Sequence, residues 1–350
     1  MFMAMTAMLI ASCSNDDVVS TNTGRAIDFR TSVGTRGAET TTDNIKKFWV
    51  TAIDETGANY FSKQEYTKDG QFFTSTPLYY WPVGTLNFFA YSPSETDLGA
   101  TVTINKDTKT FADFSPAAEI ANQKDFVTAT ASGTRAANEA NGVPLVFNHQ
   151  LSQIEIKAKN TNEGYVYKVV GVRIGKPVSK GTFTMGTTSS WALTTTEKAN
   201  YAVEYATTPR TLTADAATMM GTTNDNAMLL PQQLVAWTPE TDKTNTNNGA
   251  YIALKIQITT KDGARVYPAK GEYDWAAVAI NTNWEAGKKY VYTLDFSKGA
   301  GKVDPEKPTP TPDPEKPDPF NPGDDILGKP IKFTVTVTDW VPAVQPDIEM

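Results

Sequence analysis

Ile331-Lys332-Phe333-Thr334-Val335-Thr336-Val337-Thr338-Asp339-Trp340 alternates apolar and polar side chains through Thr338. A period of two marks a β-strand with one buried face. A proline-rich stretch separates this run from the other strand-like segments. An isolated strand is not stable in water, because its backbone groups and apolar face go unpaired. The run must therefore dock on something.

The other end of the chain suggests where. Ile27-Asp28-Phe29-Arg30-Thr31-Ser32-Val33 matches residues 331–337 position for position, with Ile, Phe and Val recurring and Thr31 standing against Val335. The two segments present nearly one buried face, so both could fill one groove; alternatively they are two ordinary strands of one sandwich that match by chance. After the first copy comes Gly34-Thr35-Arg36-Gly37-Ala38, a polar stretch that an arginine-specific protease could enter between Arg36 and Gly37. A cut there would detach Ile27, Phe29, Thr31 and Val33 from their domain. The vacated groove would then accept Ile331, Phe333, Val335 and Val337, with Trp340 closing the strand, from another molecule.

Composition narrows the function. The 350 residues suffice for two domains and carry a formal net charge of −7. A nucleic-acid partner is not expected, since no basic face is available to neutralise phosphates. With one cysteine, Cys13, and one histidine, His149, neither a zinc or haem site nor a Cys/His or Ser/His/Asp nucleophile is expected. No enzyme activity and no cofactor are assigned. His149 is given a structural hydrogen-bonding role, and residues 171–177 fail as a phosphate loop for want of the right glycine spacing and a terminal Ser or Thr.

Residues 1–12 are apolar and uncharged, too short to span a bilayer but suited to a secretory signal. Leu9-Ile10-Ala11-Ser12 before Cys13 resembles a bacterial lipobox, which implies cleavage ahead of Cys13 and its acylation. Ser14-Asn15-Asp16-Asp17 resembles an acidic signal for export to the outer leaflet of the outer membrane. A polar stalk occupies 13–25. Short strands are expected at 47–52, 72–74, 86–91, 101–104, 127–130, 143–148 and 153–159. More follow at 167–174, 181–185, 191–193, 228–230, 251–259, 265–268 and 290–296. Such short strands, with no long amphipathic helix, point to an all-β chain of two antiparallel sandwiches, 26–150 and 151–298. Tyr79-Tyr80-Trp81-Pro82 is expected to close a core in preference to stacking on sugars. Residues 299–330 read as a proline-rich tether, of which 304–323 could extend about 60 Å, carrying the terminal segment 331–350 to a neighbour.

The lipobox ending at Cys13, the first strand with Arg36, the run Val143-Pro144-Leu145-Val146-Phe147-Asn148-His149 before Ile154-Glu155-Ile156, and the closing Asp339-Trp340 together resemble a fimbrillin. The family is that of the type V pilus subunits of Bacteroidales, related to the Mfa-like fimbrillins. The resemblance implies two transthyretin-like domains and export as an outer-membrane lipoprotein. It also implies trimming by an arginine-specific surface protease and strand exchange with other copies or homologous pilus subunits. A shaft or adaptor subunit is expected; an anchor, a tip subunit or a glycan-binding lipoprotein using Tyr79, Tyr80, Trp81 or Trp191 are the alternatives.

Overall fold

The computed structural model describes residues 24–33, 45–222, 225–239, 249–307 and 321–340; the expected signal 1–12, Cys13, Arg36, Gly37 and residues 341–350 lie outside them. The first half contains β1 (Phe29–Val33), β2 (Lys47–Asp54), β3 (Asn59–Asp69), β4 (Phe72–Ser75) and β5 (Thr85–Ser92). It continues with β6 (Thr101–Ile104), β7 (Lys109–Phe114), β8 (Val127–Thr134) and β9 (Val143–His149). Seven of these close into a barrel in the order β1-β4-β3-β2-β5-β8-β9. Along β9, Val143, Leu145 and Phe147 are buried while Pro144, Val146 and Asn148 face out, so alternation alone aims the strand.

Two strands depart from strict alternation. In β3, Phe61 and Tyr66 both face the barrel core although their odd spacing would send them to opposite faces of a regular strand. Lys63, at φ 48°, lies between them, and the ladder to β2 shifts register opposite it. In β7, Asp113 at φ 63° does the same for Phe111 and Phe114.

The chain passes from β9 directly into β10 (Ser152–Lys159), followed by β11 (Tyr165–Val178), β12 (Gly181–Thr184), β13 (Ser190–Leu193) and β14 (Lys198–Glu204). Short ladders β15 (Arg210–Thr211), β16 (Ala217–Thr218), β17 (Ala227–Leu229) and β18 (Gln232–Gln233) precede β19 (Tyr251–Thr260) and β20 (Arg265–Tyr267). The last strands are β21 (Asp274–Ala279), β22 (Asn283–Trp284), β23 (Lys288–Asp295), β24 (Lys302–Val303) and β25 (Lys332–Asp339). One sheet runs β16-β10-β23-β25 and another β14-β11-β19-β21-β24. Ile154, Ile156 and Tyr292 from the first share a core with Val172, Leu254 and Ile256 from the second, which makes a sandwich. A third core lies between the halves: β6 and β7 from one and β12 and β13 from the other form a single sheet over Tyr91, Phe111, Phe126, Leu151, Leu230 and Trp340.

The chain is all-β as expected, but not wholly antiparallel. β1 runs parallel to β9, and β10 parallel to β23. Both pairs join strands far apart in sequence, where no hairpin dictates antiparallel direction. The reading of 299–330 as one extended tether also needs correction. Val303 donates to the Asp324 carbonyl at 2.9 Å, Gly323 to that of Val303 at 3.0 Å and Ile326 to that of Gly301 at 2.8 Å. Arg173 Nη2 lies 2.5 Å from Asp304 Oδ1, and Lys176 Nζ lies 3.0 Å from Glu306 Oε1. The flanks of the proline run carry ion-pairing and apolar side chains that bind them to the sandwich, so the chain returns to the place it left.

Candidate functional site

β1 is the barrel's closing strand. Its register with β9 runs from Phe29↔Val143 to Val33↔Phe147, whereas its ladder with β4 is the single pair Phe29↔Phe73. Take β1 away and β4 and β9 become the two edges of an open six-stranded sheet. Phe29 fills the slot between them, edge-on to Tyr66 at 4.7 Å, Phe88 at 5.1 Å and Phe48 at 5.9 Å. Ile27 is buried beside it, and Thr31 is half-buried. Burying a Phe and an Ile contributes about 1.5–3 kcal/mol each, so among the described side chains of this segment Phe29 and Ile27 hold it most.

Polar groups fix where β1 enters. The Ile27 N–H donates to the Tyr79 carbonyl at 2.7 Å, and Ala26 bridges Tyr80. Arg25 Nη2 lies 3.0 Å from Asp28 Oδ2, its Nη1 donates to the Ala140 carbonyl at 3.0 Å, and its guanidinium sits 4.5 Å from the Phe72 ring centre. The Arg25 backbone N–H donates to Glu139 Oε1 at 2.9 Å. Burial raises the Asp28 carboxyl above its ordinary pKa, with the Arg25 charge opposing. The hydrogen bond from Arg135 holds Glu139 below its own ordinary value. Gly142 at φ 69° permits this packing, because a Cβ there would fall 2.7 Å from Asp28 Oδ1.

The terminal run has a different berth. β25 pairs antiparallel with β23 of its own chain, from Lys288↔Asp339 to Asp295↔Lys332, and has no second strand neighbour among the described residues. Ile331 and Trp340 are buried at its ends, Phe333 and Val335 are half-buried, and Val337 is 51% exposed. Lys288 pairs with Asp339, whose hydrogen bond raises the lysine pKa. Trp340 stacks on His149 at 3.8 Å and 13°, with His149 Nδ1 2.7 Å from Asp125 Oδ2. Since His149 ends β9, the terminal tryptophan touches the strand that flanks β1.

Of the residues singled out from sequence, Ile27, Phe29 and Thr31 thus line one slot, while Ile331, Phe333, Val335, Val337 and Trp340 lie along the sandwich edge and its junction with the barrel. Val33 is placed by its backbone ladder, opposite Phe147. Trp81 is buried in the barrel core 5.9 Å from Phe88, and Trp191 packs on Phe183 while donating to the Gln150 carbonyl at 2.8 Å. These tryptophans are packing residues. Sequence reading missed Arg25, Glu139 and the Trp340–His149 stack; only the proximity of Arg25 to the strand pattern could have hinted at the first.

No curated protein matches the chain in sequence. Among solved structures it is similar to a fimbrial protein from Bacteroides vulgatus, with TM-score 0.55 and 14% identity over 89% of this chain and 99% of that one. It is also similar to a candidate cell adhesion protein from Bacteroides uniformis, with TM-score 0.49 and 15% identity over 91% and 99% of the two chains. The first likeness speaks to fold alone. The fimbrillin-like family model, in contrast, matches residues 33–340, from the end of β1 through the rest of the barrel, the shared sheet, the sandwich and the terminal strand, and the chain belongs to the fimbrillin-like family.

Proposed function

We propose that the chain is a shaft or adaptor subunit of a cell-surface fimbrium, assembled by protease-gated strand exchange and supporting adhesion. One observation carries the reading: among the described residues β1 is the one strand that bridges β4 and β9, and Ile27, Phe29 and Val33 of its segment recur in sequence as Ile331, Phe333 and Val337. The precursor is exported as a lipoprotein acylated on Cys13 and held at the outer membrane. While β1 is tethered, it outcompetes any incoming strand through its high effective concentration. An arginine-specific surface protease cuts after Arg36 and ends that advantage. Residues 331–337 of another copy, or of a homologous subunit, then take the positions of 27–33, with Val335 replacing the half-buried Thr31. Main-chain pairing to β4 and β9 supplies affinity, and the alternate pockets supply register. A slot on one subunit filled by the tail of the next is a heterologous contact, so the assembly propagates as a fibre and does not close.

The test is to treat the purified chain and its Arg36→Ala variant with an arginine-specific protease and follow both by electron microscopy. Filaments are expected only where β1 is severed. Filaments of equal length from the variant, with residues 27–33 still attached, would falsify the gating step.

A further inference from the structure

The outer edge of β25 has a composition that strand edges usually avoid. Its ladder to β23 is regular through eight residue pairs, without a bulge. Residues 333–338 contain neither proline nor charge. Proline, bulges and inward charges are the devices that keep exposed edges from pairing. Phe333 and Val335 lie half-buried along one face, and Val337 on the same face is 51% exposed.

We infer that this edge pairs with β25 of a second copy, antiparallel and centred on Val335, joining two precursors through one continuous sheet. Three features select this occupant. In an antiparallel ladder, opposed residues share a face, so a register centred on Val335 sets Phe333 against Val337 of the copy and Val335 against itself. No other register returns all three apolar residues to one another. Thr334 meets Thr336 on the opposite face, a pairing that strands favour. A parallel copy in register would set Lys332 on Lys332 and Asp339 on Asp339, whereas this antiparallel register sets Lys332 opposite Thr338 and Asp339 opposite Ile331, so no like charges are opposed. The contact is isologous and closes as a pair. It therefore goes beyond the fibre contact proposed above, needs neither cleavage nor a vacated slot, and holds β25 on its own sandwich.

The test uses the full chain with Cys13→Ser, without protease, so that acylation, the native thiol and fibre growth are all absent. Sedimentation velocity at rising concentration should resolve a monomer–dimer equilibrium. Val337→Lys, placed where the side chain is already half in solvent, should raise the dimer dissociation constant at least about tenfold while leaving the melting temperature of the monomer in place. As a check on register, Val335→Cys should form an interchain disulfide on mild oxidation and Phe333→Cys should not, because only position 335 lies on the two-fold axis. A chain that stays monomeric, a dimer indifferent to Val337→Lys, or cross-linking at 333 as efficient as at 335 would each overturn the proposal. Strand exchange would be untouched by any of them, since its filaments are scored only after cleavage.

Discussion

The segments that lead into β1 and β25, residues 27–33 and 331–337, share the pattern Ile-x-Phe-x-x-x-Val and live in opposite circumstances. β1 has a strand on either side, and Phe29 is wholly enclosed. β25 has one neighbour among the described residues and leaves Val337 51% exposed. The difference separates two things that a period of two conflates. Alternation specifies which face of a strand is apolar; the topology of the rest of the chain decides how many neighbours cover it. It would also give the proposed strand exchange a direction. Moving Phe333, Val335 and Val337 from a half-covered edge into a closed slot would gain about 1 kcal/mol each, to be set against the ordering of a released strand.

The sharpest way to break the comparison is to truncate the two equivalent rings. Phe29→Ala empties the centre of an aromatic cluster and should cost about 3–5 kcal/mol, whereas Phe333→Ala removes a half-exposed ring and should cost about 1–2 kcal/mol. Urea denaturation of both variants checks this. Equal losses would mean that the two berths are energetically alike and that exchange has no downhill direction.

A smaller effect comes from the backbone under β1. Gly142→Ala forces a side chain into positive φ and against Asp28 Oδ1, at a cost of about 1–3 kcal/mol. Because the strain falls on the Asp28 pocket, hydrogen exchange at Ile27 and along β1 should quicken more than along β23 or β25. A uniform increase across the chain would show that the entry of β1 is not a local clamp.

Much of this was legible in the sequence, and what was not has identifiable causes. The strands at 101–104, 143–149 and 251–260 announce themselves by unbroken alternation or by apolar runs. β3 and β7 were missed because bulges at Lys63 and Asp113 reset the period, so that Phe61 with Tyr66, and Phe111 with Phe114, look out of phase. β14, in which Tyr201 alone is fully buried, has too thin an apolar face to stand out. At the candidate site, the kinship of residues 27–33 and 331–337 was visible because it rests on periodicity. The parallel pairing of β1 to β9, the Arg25 clamp and the stacking of Trp340 on His149 were not, since each depends on strands that meet only in the folded chain. The proline run misled in a simple way: its composition drew Asp304, Glu306 and Ile326 into the tether, whereas their ion pairs and apolar contacts belong to the sandwich.

The subtlest probe of the contrast is pH, because a buried carboxylate, Asp28, stands immediately before β1 and none is buried along β25. Burial raises the Asp28 pKa from 3.8, against the opposing charge of Arg25, its hydrogen bond, and the charge of Arg30. A raised carboxyl binds its proton more tightly in the folded protein than in the unfolded chain. Its contribution to stability is therefore complete below the ordinary carboxylate value and is lost as the pH climbs through the folded value. Asp28→Asn should flatten this fall on the alkaline side of the ordinary carboxylate value, and Arg25→Ala should widen it by removing the cation that favours ionisation. Denaturation midpoints of the three proteins across that range measure the effect, which should be a fraction of the Phe29→Ala loss. If Arg25→Ala left the slope unchanged, the guanidinium would be holding β1 through its packing on Phe72 and its bond to the Ala140 carbonyl, and not through the charge of Asp28.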